Sequence, residues 1–136
     1  MITATRYHDF SAGHRICGHE SKCAHLHGHN YRVYFEISSS EGLDSLGRLI
    51  DFSVIKIKIC QWLEDNWDHK FLMWKNDPLV PLLTAADPDS MVIVDFNPTA
   101  KYLIEKVGPE VFLGTYCKLI SVTVEETRKC SVRYGR

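Results

Sequence analysis

Residues 26–38 alternate between two kinds of side chain. His27, His29, Tyr31, Val33, Phe35 and Ile37 share one parity, and Asn30, Arg32, Tyr34 and Glu36 share the other. A period of two belongs to a β-strand with one buried face, so this stretch commits the chain to a sheet. Two histidines at i and i+2 cannot share one face of a helix, but on a strand they point the same way and can grip one ion. Upstream, residues 2–14 read as an antiparallel partner in which Phe10, Ala12 and His14 share parity. Pairing the two strands would bring His14 to His27 and His29 at the end of an apolar, core-directed face.

Three neutral imidazoles are a common protein ligand set for catalytic zinc, because they leave a tetrahedral position free for water or substrate. His14, His27 and His29 are the candidate set. Cys23 lies four residues before His27. As a fourth ligand it would close the site into a structural centre of one cysteine and three histidines. His25 competes as a ligand if the strand begins early, since its parity matches that of His27 and His29. Gly28, without a side chain between two ligands, allows backbone or substrate to approach closely.

Beyond the hairpin, residues 38–49 are turn-like, and a helix is predicted from Ser53 to Asn66 with Phe52, Ile55, Ile59, Trp62 and Leu63 at helical spacing. The proline-bearing stretch 76–90 reads as a connection with at most short helical turns, and Met91 to Phe96 as a short strand or extended run. Asn97-Pro98 is a helix start signal, which predicts a second helix to about Val107, ended by Gly108-Pro109. Residues 119–127 alternate again, with Ile120, Val122, Val124 and Glu126 on one face, and Cys130 to Tyr134 completes a terminal hairpin. The predicted order is ββααββ: an α+β class, with two helices on one face of an antiparallel sheet.

At 136 residues, with 45% hydrophobic and 24% charged side chains, the chain is expected to be one globular domain over 1–136. Lys plus Arg number 16 against 17 Asp plus Glu, so no general basic surface calls for nucleic acid. No apolar run reaches the length of a membrane span. Five irregularly spaced cysteines, with no secretory leader ahead of them, predict free thiols and a cytoplasmic location.

Three further signals carry chemistry. Glu126 is the carboxylate on the apolar side of its strand; it is either incidental or an anchor, since a carboxylate accepts two parallel hydrogen bonds from a flat edge of ring N–H and amino groups. Asp68-His69 is a surface pair or a proton-transfer pair, in which the carboxylate orients an imidazole that titrates near neutrality. Cys23 beside a metal and an imidazolium would be activated as a base or nucleophile.

Taken in order, Phe10-x-Ala12-x-His14, Cys23-x-x-x-His27-Gly-His29, Ile50-Asp51-Phe52, Asp68-His69, Asn97-Pro98-Thr99-Ala100 and Glu126-Thr127 resemble the 6-pyruvoyl-tetrahydropterin synthase family over nearly the whole chain. The three-residue gap between Cys23 and His27 resembles the bacterial branch, 6-carboxy-5,6,7,8-tetrahydropterin synthase of the queuosine and 7-deazapurine pathway. The resemblance implies a tunnelling fold whose sheets join into a β-barrel trimer, with two trimers stacked as a homohexamer and active sites at subunit interfaces. It implies zinc on His14, His27 and His29, catalytic Cys23, Asp68 and His69, and a pterin held by Glu126 with Thr127 and Thr99. The implied substrate is 7,8-dihydroneopterin triphosphate, converted to 6-carboxytetrahydropterin with release of acetaldehyde and triphosphate. The implied alternatives are a pyruvoyl-forming synthase, a related dihydroneopterin lyase, and a non-catalytic zinc-stabilised module. One departure stands out: the family usually carries Glu after Thr-Ala, and this chain has Lys101.

Overall fold

The structure, a computed structural model, describes residues 1–99 and 116–135. The two alternating stretches form the central pair of strands, β1 (Thr3–His14) and β2 (His27–Ser39). They pair antiparallel in unbroken register from Thr3 opposite Ser38 to His14 opposite His27. One face of this pair is the core: Phe10, Ala12 and His14 from β1 and Tyr31, Val33, Phe35 and Ile37 from β2 are buried.

The predicted helix is present and packs on that face. It starts at Phe52, where the Asp51 carboxylate accepts hydrogen bonds from the amide (2.9 Å) and hydroxyl (2.8 Å) of Ser53. It runs through Phe52–Ile55, a π-helical turn Lys56–Cys60 and Gln61–Asn66. The wider turn lets Ile55, Ile59, Cys60 and Leu63 all bury against the sheet. Phe52 and Trp62, expected in the same stripe, fall on its flanks and are half exposed. Trp67 closes the end of the helix against Phe10, which stacks on Tyr31 with ring centroids 5.1 Å apart.

The sheet has more strands than the ββααββ order anticipates. β3 (Lys70–Trp74) and β4 (Met91–Val94) lie between the helix and the C-terminal hairpin. Both pair in parallel, β3 with β1 and β4 with β3, so the sheet is mixed rather than wholly antiparallel. A parallel crossover needs a long connection. Here it contains a seven-residue helix, Val80–Ala86, and a 3₁₀ turn, Pro88–Ser90, within the stretch expected to hold only short turns. β5 (Cys117–Thr127) and β6 (Cys130–Gly135) complete the strand order β4-β3-β1-β2-β5-β6.

Two irregularities in β5 shift its faces. A bulge opposite Glu36 and Ile37 skips Ile120, so Leu119 rather than Ile120 turns into the core, while Val122 and Val124 bury as expected. A second irregularity, between Glu125 and Thr127, leaves Glu126 without a partner on β6. The helix predicted from Asn97 to Val107 lies outside the described residues beyond Thr99, as does Lys101. Within them, the Asn97 amide is spent on the backbone of Cys17, accepting from its N–H (2.9 Å) and donating to its carbonyl (3.0 Å).

The end of β1 is fixed by an ion pair that the sequence reading did not anticipate. Arg15 donates from Nε and Nη2 to the two carboxylate oxygens of Asp77, both at 2.6 Å, and Asp77 is 2% exposed. Burial raises the Asp77 carboxyl, but Arg15 and the Leu79 amide outweigh it and hold the group below its ordinary value. The pair's contribution is therefore complete above the unfolded-state pKa of about 3.9 and disappears as pH falls through the lower folded value. Asp77→Asn should cost about 3 kcal/mol at neutral pH, because the Arg15 charge keeps only part of its partner. In urea titrations the midpoint of the wild type should fall further below about pH 4 than that of the variant, which keeps only the acid loss from the other lowered carboxyls; parallel decline of both would refute the assignment.

Candidate active site

The register that buries the core also assembles the site. His14 stands opposite His27, and His29 stands opposite Ala12, one rung along the same face. The ligand atoms of His14, His27 and His29 all lie within 4.8 Å of one another, and the three rings meet edge to face with centroids 4.6 to 5.0 Å apart.

Backbone carbonyls set the tautomers. Nδ1 of His14 donates to the Pro98 carbonyl at 2.9 Å, and Nδ1 of His27 donates to the His25 carbonyl at 2.7 Å. With both Nδ1 atoms protonated, the two Nε2 atoms face each other at 3.0 Å as bare lone pairs. That contact is repulsive unless something positive sits between them. A carbonyl behind each imidazole is also the arrangement that orients metal-ligating histidines. Burial pushes His14 down to about 4 and lowers His29 as well, so both rings stay neutral, the form that binds a cation. The donor set thus fits a divalent ion of the zinc class.

Cys23 is not among the clustered ligands. It lies half-buried on a one-turn 3₁₀ helix, Lys22–Ala24, in the excursion between β1 and β2. The closed site of one cysteine and three histidines is therefore not the arrangement formed. His25 is outside the cluster as well; it precedes the first residue of β2 and supplies its carbonyl to His27.

Tyr31, absent from the predicted site, lies under the cluster with its hydroxyl 3.2 Å from Nδ1 of His14. Burial and the nearby Glu126 charge both raise its phenol, which stays protonated. Its membership of the apolar stripe hid this contact, because the stripe reads as packing alone.

Glu126 sits at the β5 irregularity with a carboxylate oxygen 3.8 Å from Nε2 of His29. Bulges re-aim side chains next to functional sites, and this one turns Glu126 toward the histidines. A cleft of about 370 Å³ opens there, lined by Gly28, His29, Asn30, Glu126, Thr127 and Arg128. Thr127 is exposed at its rim. Thr99 follows the Asn97-Pro98 segment whose carbonyl holds His14.

Asp68-His69 forms the expected pair, with Nδ1 of His69 donating to Asp68 at 2.8 Å. The other Asp68 oxygen accepts from the Ser11 amide at 2.9 Å, and the His69 amide donates to the Ser11 carbonyl at 2.6 Å. These bonds hold His69 in the left-handed region at φ 58, with its side chain 81% exposed. No described contact joins Asp68 or His69 to Cys23 within the chain.

Comparisons with known proteins agree with this geometry. The family model described as 6-pyruvoyl tetrahydropterin synthase matches residues 3–136. A Rickettsia felis protein named 6-carboxy-5,6,7,8-tetrahydropterin synthase is 33% identical over 97% of this chain and 99% of its own length. A Halobacterium salinarum protein named a probable 6-carboxy-5,6,7,8-tetrahydropterin synthase is 35% identical over 86% of this chain and 75% of its own. Among solved structures, an uncharacterized protein from Wolinella succinogenes superposes with a TM-score of 0.80 at 25% identity, covering 99% of this chain and 98% of that one. The 6-pyruvoyl tetrahydropterin synthase of Caenorhabditis elegans shares the fold, with a TM-score of 0.62 at 23% identity over 99% of this chain and 95% of its own. The histidine cluster, the α+β tunnelling fold and the full-length match lead to one conclusion: the chain belongs to the 6-pyruvoyl tetrahydropterin synthase family.

Proposed function

We propose that residues 1–136 form one zinc-dependent 6-carboxy-5,6,7,8-tetrahydropterin synthase domain, a cytoplasmic lyase that converts 7,8-dihydroneopterin triphosphate to 6-carboxytetrahydropterin, acetaldehyde and triphosphate for queuosine or a related 7-deazapurine. The observation that carries the reading is the three-histidine cluster beside the Glu126 cleft, whose lining includes His29. Relatives bearing that enzyme name over nearly the full chain support it.

Zinc held by His14, His27 and His29 would supply Lewis acidity to the hydroxyl oxygens of the substrate side chain. Glu126 accepts hydrogen bonds from the N–H edge of the pterin, with Thr127 and Thr99 beside it. Cys23 takes a proton from the side chain as general base. His69, oriented by Asp68, moves protons to or from the same side chain. Because His69 is exposed and no contact joins it to Cys23 in this chain, we assign it to the site of a neighbouring subunit. Among the described residues both sheet edges, β4 and β6, lack a further strand. β6 is exposed along its length, including Val132 and Tyr134, and Ile93 on β4 is exposed as well. Joining edges in a ring would give the barrel trimer, and two trimers the homohexamer.

Product analysis tests the reading. Zinc-loaded protein given 7,8-dihydroneopterin triphosphate should release acetaldehyde and the 6-carboxy product, and a chelator should stop it. A pyruvoyl product without acetaldehyde would move the chain to the other branch of the family. No turnover by folded, zinc-loaded protein would reduce it to a metal-stabilised module.

Two variants divide the labour between thiol and imidazoles. Cys23→Ala should lower turnover by about 100- to 10,000-fold while metal content stays unchanged. His27→Ala should lose the metal itself, as read by elemental analysis after dialysis. Loss of zinc from the Cys23 variant would return the thiol to the ligand set.

A further inference from the structure

Cys23 lies on a segment with no core to fix it. None of the residues of its 3₁₀ turn is buried. Its position is set instead by polar contacts from the residues just after β1. The Ile16 amide donates to the Cys23 carbonyl at 2.8 Å, and Nη1 of Arg15 donates to the Ala24 carbonyl at 3.1 Å. The rest of the Arg15 guanidinium is committed to Asp77 through Nε and Nη2, with Nη2 also 3.8 Å from Sγ of Cys17. Asp77 in turn accepts from the Leu79 amide at 2.9 Å, which anchors it in the turn beyond β3.

We propose that Arg15, held by Asp77, is the positioning residue for Cys23, an inference that rests on the reading of Cys23 as the base. An ion pair serving stability alone would end at Asp77. Here a third edge of the fork reaches the residue next to the thiol, so the carbonyls of Cys23 and Ala24 are both tied to the strand that carries His14. A guanidinium can do this because its N–H groups diverge in one plane; a lysine ammonium presents a single point charge and cannot span Asp77 and Ala24 together. Misplacing a reacting group by about 1 Å can cost a hundredfold in rate.

Two charge-retaining variants, Arg15→Lys and Asp77→Glu, test the proposal on the zinc-loaded protein. Each should lower kcat by roughly ten- to a hundredfold with KM within about twofold, and with zinc content unchanged. The rate at which iodoacetamide labels the Cys23 peptide, followed by mass spectrometry, should change by about threefold or more as the turn loosens. A labelling rate equal to that of the wild type in both variants overturns the proposal. So does an unchanged kcat in an active background, which would leave the pair a stabilising one. If the wild type does not turn over the triphosphate, the functional reading fails and the labelling rate alone decides the positioning role. If neither variant folds, by circular dichroism, the pair is structural and the proposal falls.

Discussion

The pairing of β1 with β2 carries both the core and the site, because His14, His27 and His29 lie on the same face as Phe10, Tyr31, Val33, Phe35 and Ile37. Side chains on a strand alternate, so a slip of one residue in this register would turn the apolar set to solvent and scatter the histidines to the other face. Burial of several large side chains, each worth roughly 1.5–3 kcal/mol, fixes the register. The same energy therefore holds the imidazoles in place. Three polar rings are tolerable on such a face only while neutral and hydrogen-bonded. The Pro98 and His25 carbonyls bond His14 and His27, and burial keeps His14 and His29 neutral.

The glycine in the last rungs of β1 shows how close the third strand comes. A Cβ on Gly13 would meet the Phe71 ring at 2.6 Å, so the ring can lie against β1 as it does only because this position has no side chain. β3 pairs with β1 at Ala12, Gly13 and His14, the rungs that carry the first ligand. Asp68 and His69 enter this strand through bonds to Ser11, two residues earlier on β1. Asp68, His69 and His14 are thus positioned by one stretch of β1.

Long alternating stretches were legible because period-two burial repeats over many residues: β1, β2, their antiparallel pairing and the meeting of the three histidines follow from parity. The main helix was legible from its buried spacing and from Asp51. β3 was not, since Leu72 and Met73 are adjacent and both buried, which hides any alternation in five residues. Missing it also hid the parallel pairing of β3 with β1 and β4. In β5, parity misassigned Ile120 because a bulge is a local backbone event with no side-chain period. Arg15 and Asp77 escaped for a different reason: a pair 62 residues apart in sequence has no local pattern, although an arginine directly after a ligand was a place to look.

The site sits where a strand pair is weakest. His14 and His27 are the last rung of β1 and β2, and terminal rungs fray unless other contacts close them. Contacts from distant parts of the chain converge on this end: the Pro98 carbonyl on His14, the Asn97 amide on Cys17, the Asp77 carboxylate on Arg15, and the parallel strand β3. The order of the histidine cluster is therefore coupled to the β3–β4 half of the sheet, whose strand pairing with the hairpin, among the described residues, is at the end of β1. A cation between the facing Nε2 atoms would bind the ordered rung and not the frayed one, so its binding energy would also stabilise the docking of that half. His14, His27, the turn that carries Cys23 and the added parallel strands thus meet at a single strand end.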